Sequence, residues 1–226
     1  MDRGTGVPIV FLHAGSGASA LWQKQVDFFA AAGYRCIATD RRARAAAADE
    51  LEALVSELAL EPFHLVGTAA GGIVAVDYAL SFPKRVRSLV IANSIFGIQD
   101  DAYTALQRRL RPSPQFEALP VEVRELGPSY RSANPEGTRR WAQASHHASP
   151  QPTRNRISFA LLDTIRIPAL LLTGDADLYM PPSVLRLFAK RFPRCESTVL
   201  PECGHSAYWE QPEMFNRAVL EFLRKN

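Results

Sequence analysis

Leu65-Val66-Gly67-Thr68-Ala69-Ala70-Gly71-Gly72 lies between an apolar run, Phe63 to Val66, and a helix-forming stretch from about Ala70 to Phe82 that Pro83 closes. A strand that turns sharply into a helix brings two backbones close together, so the residues beside the apex must be small. Gly67 and Gly71 meet that demand, and the side chain at 69 is expected to stand clear of the sheet. The N-terminus of the following helix offers free N–H groups and a dipole that favours negative charge. Taken alone, the same glycines serve equally well in a plain strand-to-helix turn.

On either side of this turn, short apolar runs alternate with amphipathic ones. Ile9 to Leu12, Arg35 to Thr39, Phe63 to Val66, Val86 to Ala92, Ala169 to Thr173 and Ser197 to Leu200 read as strands. Helical patterns fall between them, from about Ala20 to Ala32 and on the face marked by Leu51, Leu54, Val55 and Leu58. Phe215, Val219, Phe222 and Leu223 recur at helical spacing near the C-terminus and read as core. Strands that are apolar throughout and separated by helices predict a mostly parallel sheet of about six strands, covered on both faces. The fold class is α/β, and the sheet is expected to begin at Ile9 with nothing ahead of it.

Residues 95–164 break the rhythm. They show helical pieces cut by Pro112, Pro114, Pro120, Pro128, Pro135, Pro150 and Pro152, and no strand pattern. So long a stretch is not a loop in a compact domain, and it reads as a helical insertion over one end of the sheet. Tyr103, Phe116, Tyr130, Trp141 and Phe159 give it aromatic surface with which to line a pocket. The run Ala45 to Ala48 is low in complexity, yet a well-patterned helix follows it.

Composition excludes several classes. With 47% hydrophobic and 22% charged residues, the 226-residue chain has enough apolar surface to fold. No apolar run approaches the ~18–20 residues that span a bilayer. Met1-Asp2-Arg3-Gly4 has no signal-peptide character, and the expected location is the cytoplasm. The net charge is +3, and the basic residues are scattered apart from small clusters at Arg108-Arg109-Arg111 and Arg139-Arg140. They form no continuous nucleic-acid-binding face. Cys36, Cys195 and Cys203 fit neither a disulfide framework nor zinc spacing. His146-His147 lacks an acidic partner pattern, so no metal site is expected. His64, inside a strand, reads as a packing or edge residue.

Three more loops sit where strands end. Leu12-His13-Ala14-Gly15-Ser16-Gly17 follows the first strand, and its glycines can turn a backbone N–H toward a crevice. Thr173-Gly174-Asp175-Ala176-Asp177 follows the fifth strand, and Pro201-Glu202-Cys203-Gly204-His205-Ser206 the sixth. Open α/β sheets place ligands at the carboxyl ends of their strands. A carboxylate and then an imidazole on successive strand-end loops, after a glycine-flanked turn, point to nucleophilic or acid–base chemistry on a carbonyl.

With these motifs the chain resembles the α/β-hydrolase fold superfamily, in particular the capped branch containing enol-lactonases and carbon–carbon bond hydrolases. The resemblance covers nearly the whole chain. It implies a core of residues 1–94 and 165–226 with a helical cap at 95–164. It also implies an oxyanion hole from the N–H groups of Gly15 and Ala70, with Asp177, rather than Asp175, orienting His205. His13, Trp22, Tyr103, Tyr130 and Trp141 become expected substrate contacts. The expected partner is a small apolar ester, lactone or β-dicarbonyl, with no nucleic acid, membrane or cofactor; a monomer and a homodimer are both compatible.

The chain departs from the family at the apex, where serine is usual and Ala69 stands. A methyl group cannot attack a carbonyl. Thr68 points the other way by strand alternation, and nothing in the sequence fixes Ser16 or Cys203 against His205. Ala14 replaces a common second glycine, the loop after Asp40 lacks the usual glycine-serine turn, and the family's two leading strands are missing. Three readings of Ala69 stay open: a knocked-out serine hydrolase, a serine-free acid–base enzyme using Asp177 and His205, or a non-catalytic binder.

Overall fold

The computed structural model describes residues 1–40, 46–60, 62–110, 115–145 and 152–226. Among them, seven strands form one sheet: β1 (Asp2–Arg3), β2 (Pro8–Leu12), β3 (Arg35–Ala38), β4 (Phe63–Thr68), β5 (Val86–Ala92), β6 (Ala169–Gly174) and β7 (Cys195–Leu200). Their order is β1-β3-β2-β4-β5-β6-β7, with every pairing parallel except β1 on β3. The expectation of six strands with nothing before Ile9 is therefore corrected. Asp2 and Arg3 add an antiparallel edge opposite Ile37 and Cys36. Two exposed charged residues carry no hydrophobic period, which is why the pattern missed them. Asp2 is held instead by both arms of the Arg35 guanidinium, at 3.1 and 2.7 Å.

The helices described are α1 (Gln23–Ala31), α2 (Ala47–Glu57), α3 (Ala70–Ser81), α4 (Asp101–Leu110), α5 (Val121–Glu125), α6 (Pro128–Ala133), α7 (Pro135–Ala144), α8 (Phe159–Leu162), α9 (Pro182–Ala189), α10 (Ala207–Glu210) and α11 (Pro212–Leu223). Successive side chains of the central strands enter two different cores. Val10, Leu65, Leu89 and Leu171 pack with α2, α3 and α9, whereas Phe11, Val66, Val90 and Leu172 pack with α1 and α11. Burial on both faces is the reason these strands are apolar at most positions rather than at alternate ones. His64 belongs to this interior; its Nδ1 lies 2.7 Å from Ser88 Oγ, and burial lowers its pKa to about 4. It is a packing residue on a central strand, not an edge residue.

Between β5 and β6 the described residues hold α4 to α8 and a short 3-10 turn at Phe116–Ala118, with no strand. Prolines that interrupt the sequence pattern begin helices here: Pro128 and Pro135 open α6 and α7, where a missing N–H costs nothing. The Asp77 carboxylate of α3 ties the returning chain down. It accepts the N–H groups of Arg154 (2.7 Å) and Asn155 (2.9 Å) and the Asn155 side-chain amide (2.8 Å). Asp100 accepts the Phe159 N–H at 2.7 Å. Ala47 and Ala48 are buried in the first turn of α2. Ala45, Arg111, Pro112, Pro114, His146, His147 and Pro150 lie outside the described residues. Among those described, no helix is long and apolar enough to cross a membrane.

Candidate active site

The turn from β4 into α3 has the tight geometry that its glycines anticipate. A Cβ on Gly67 would strike the carbonyl of Gly71, and one on Gly71 would strike the carbonyl of Leu12. Ala69 sits at the apex with φ 48° and ψ −115°, a left-handed backbone that alanine seldom adopts. Such strain costs on the order of 1–3 kcal/mol and persists only where the surroundings hold it. Here the Ala69 N–H donates to the Ala92 carbonyl (3.0 Å), and Ser94 Oγ donates to the Ala69 carbonyl (2.6 Å).

Asp177 and His205 arrive from the ends of β6 and β7. Both are buried, and His205 Nδ1 lies 2.8 Å from Asp177 Oδ2. The carboxylate also accepts the N–H groups of Tyr179 (2.8 Å) and Met180 (2.9 Å), the Asn93 amide (2.9 Å) and the Thr173 hydroxyl (3.1 Å). Burial opposes its charge, but His205 and these donors outweigh it and hold the pKa below the ordinary value. Burial likewise disfavours a charged His205, yet Asp177 and then Glu125 overcome it and lift the ring to about 9. The imidazole therefore holds its proton at neutral pH. Asp175 is exposed and, among the described residues, its side chain accepts only the Cys203 N–H, at 3.3 Å.

The His205 loop is fixed from behind. Its own N–H donates to the Glu125 carbonyl at 2.7 Å. Glu210 takes the N–H groups of Gly127 (2.7 Å), Gly204 (3.0 Å) and Ser206 (3.2 Å), joining the insertion to the loop. Burial nevertheless raises the Glu210 pKa to about 7 against these donors.

A cavity of about 240 Å³ opens over the apex, lined by Gly15, Ser16, Ala69, Ala70, Ile73, Asn93, Ile95, Glu125, Tyr179 and His205. Gly15 and Ala70 face one another closely, since a Cβ on Gly15 would lie 3.5 Å from that of Ala70. Ala70 is the first residue of α3, so its N–H has no acceptor within the helix. Glycine at 15 and a helix start at 70 thus put two peptides at the cavity floor beside the apex methyl.

The five expected substrate contacts do not line this cavity. Trp22 is fully buried, its ring 5.1 Å from Phe11 and 4.5 Å from Tyr208. Trp141 is in the same core. Tyr103 packs edge-on against Phe159 and Phe188, and Tyr130 packs against the α1 and α11 core. His13 turns its Nδ1 to the Ala14 carbonyl at 2.7 Å. Large rings gain most by burial: Trp22 and Trp141 fill the core beneath the sheet, Tyr130 packs at its margin, and Tyr103 edges a smaller cleft that it shares with Ile95 and Tyr179. Thr68 is buried away from the crevice, and burial pushes the Cys203 thiol well above its usual pKa, so it is no nucleophile.

Asn93, Glu125 and Tyr179, together with the apolar Ile73 and Ile95, are the lining residues that the sequence reading missed. The Tyr179 ring lies 4.6 Å from that of His205. Asn93, at φ 50°, directly follows β5, and an Asn at a strand end was the one available signal. Glu125 lies in Val121-Glu122-Val123-Arg124-Glu125, which reads as an ordinary solvated helix.

A family model described as the alpha/beta hydrolase family matches residues 9–218. The chain belongs to that family. It is similar to a 2-hydroxy-6-oxononadienedioate/2-hydroxy-6-oxononatrienedioate hydrolase of Burkholderia vietnamiensis, 29% identical over 99% of this chain and 90% of the relative. A 2-hydroxy-6-oxo-6-phenylhexa-2,4-dienoate hydrolase of Burkholderia cepacia is 26% identical over 98% and 89% respectively. Among solved structures, a thermophilic esterase from Thermogutta terrifontis superposes with a TM-score of 0.81 at 25% identity, over 100% of this chain and 92% of that one. This family member is a hydrolase-like enzyme.

Proposed function

We propose that the chain cleaves a small, largely apolar carbonyl compound (an ester, lactone or β-dicarbonyl) without a side-chain nucleophile. His205, oriented by Asp177, moves the proton, and the N–H groups of Gly15 and Ala70 receive the negative oxygen. The observation that carries this reading is the Asp177–His205 pair at 2.8 Å on the wall of a cavity floored by Ala69, Gly15 and Ala70. Ile73 and Ile95 supply the apolar wall that a short acyl or ring portion needs. Relatives named as hydrolases of oxo-substituted dienoates and dienedioates, and a structural neighbour named as an esterase, support a carbonyl substrate. Donors aimed at a developing oxyanion give large rate gains even without a nucleophile. The reaction as written requires no cofactor.

Short aryl esters, lactones and β-dicarbonyls assayed with the unmodified protein and with Ala69→Ser test the proposal. The expected result is turnover above buffer by the unmodified protein in at least one substrate class. Turnover by A69S alone would instead mark a serine hydrolase lacking its nucleophile. Binding without turnover by either form would mark a ligand-binding protein.

A further inference from the structure

Resting on that reading, we propose that Glu125 is the general base of the pocket and removes a proton from a substrate water positioned over the Ala69 methyl. A base is missing from the Asp177–His205 pair taken alone. Asp177 is saturated by its donors and shut away behind the imidazole, and an imidazole that already holds its proton cannot take another. Glu125 has the free capacity that Asp177 lacks. It lines the same cavity as Ala69 and His205; among the described residues, its Oε1 accepts only a long 3.4 Å contact from Ser16 Oγ, and its Oε2 is closed off from solvent with no hydrogen-bond partner. A carboxylate left so poorly paired is costly unless it serves chemistry. Its backbone is fixed, because the Glu125 carbonyl takes the His205 N–H at 2.7 Å, so acid and base are mounted on one joint. Burial and the nearby Asp177 raise its pKa while His205 opposes them, which makes it a stronger base than a solvated glutamate.

For an ester the steps balance. Glu125 takes one proton from water as the water oxygen bonds to the carbonyl carbon. The C=O π pair moves to the oxygen, facing the Gly15 and Ala70 N–H groups. When the intermediate collapses, the carbon–alkoxide bond breaks and the alkoxide takes the proton from His205 Nε2. Acid and alcohol leave, and the Glu125 proton returns to His205. The apex methyl leaves room for the attacking water in place of a serine hydroxyl.

The test compares Glu125→Gln, Glu125→Asp and His205→Ala with the unmodified protein. E125Q is expected to lose about 100-fold in kcat with little change in KM. Its rate should also lose the fall at low pH that protonation of a base produces, and E125D should recover part of the rate. Melting temperature separates this role from a structural one: above pH 9, where His205 has lost its proton and has no charge left to pair with Glu125, E125Q should melt no lower than the unmodified protein. Independently of turnover, the His205 Cε1–H resonance should titrate in E125Q at a lower pH than the value near 9 of the unmodified protein. Full activity and an unaltered pH profile in E125Q, alongside an inactive H205A, would overturn the role of Glu125 and leave the broader reading standing. An active H205A would overturn the broader reading. An unmoved His205 midpoint in E125Q would show that the carboxylate does not face the ring, and the proposal would fail even with no substrate in hand.

Discussion

Replacing His205 with alanine is expected to lower turnover by roughly 10²–10⁴-fold, the usual contribution of a positioned acid or base. The loss should fall on kcat, because the ring meets the departing atom more than it grips the substrate. The variant carries a second signature in stability. His205 titrates at about 9 in the folded protein against 6.5 for the free side chain. A raised folded-state value means that the folded form binds the proton more tightly. The stability this contributes is complete below pH 6.5 and is lost as pH climbs through 9. Converted at ~1.4 kcal/mol for each pH unit, it is on the order of 3 kcal/mol. Urea unfolding of the unmodified protein should therefore weaken between pH 6.5 and 9, and that slope should be absent in H205A. A parallel slope in both proteins would place the proton elsewhere.

Asp177→Ala is expected to cost about 3–5 kcal/mol, the range for breaking a buried ion pair from one side. The carboxylate gathers donors from three segments: Asn93 after β5, Thr173 with Tyr179 and Met180 around the end of β6, and His205 after β7. Removing it strands those donors in the interior, where unmet hydrogen bonds are expensive. A shift in urea midpoint at constant slope would report this as stability rather than a changed unfolded state. A cost under about 1 kcal/mol would mean that other contacts hold the loops together. Turnover should fall with it, since an unheld imidazole samples geometries that do not reach the substrate.

Asp177 could be found in the sequence because its loop follows a strongly patterned strand, whereas β7 ahead of His205 is mostly polar and His205 was marked by its Gly204-His205 loop. Ile9 to Leu12 and Ala169 to Leu172 are apolar at every position for a simple physical reason, burial between two helical layers. Glycines at 67 and 71 are required by backbone contacts that leave no space for a Cβ. Asp2-Arg3 was not legible, because a two-residue edge strand held by Arg35 leaves no hydrophobic trace. The cavity wall was not legible either. Whether an aromatic of the insertion lines the pocket or fills a joint depends on how short helices settle on the sheet. Trp141 went to the buried core and Tyr103 to a neighbouring cleft, whereas Glu125 went to the pocket from a helix whose sequence looks solvated. Local pattern reports a residue's neighbours along the chain, and Glu125 meets Ser16 across 109 positions.

In this mechanism water, and no side-chain oxygen, bonds to the carbonyl carbon at the apex, and His205 supplies the proton to the departing group. An aryl trifluoromethyl ketone tests it most directly, because its hydrate mimics the adduct of water with a carbonyl and its fluorine spectrum distinguishes hydrate from ketone. The unmodified protein is expected to bind the hydrate, and H205A to bind it at least tenfold more weakly. Binding of the unhydrated ketone, or equal affinity in the two proteins, would contradict it.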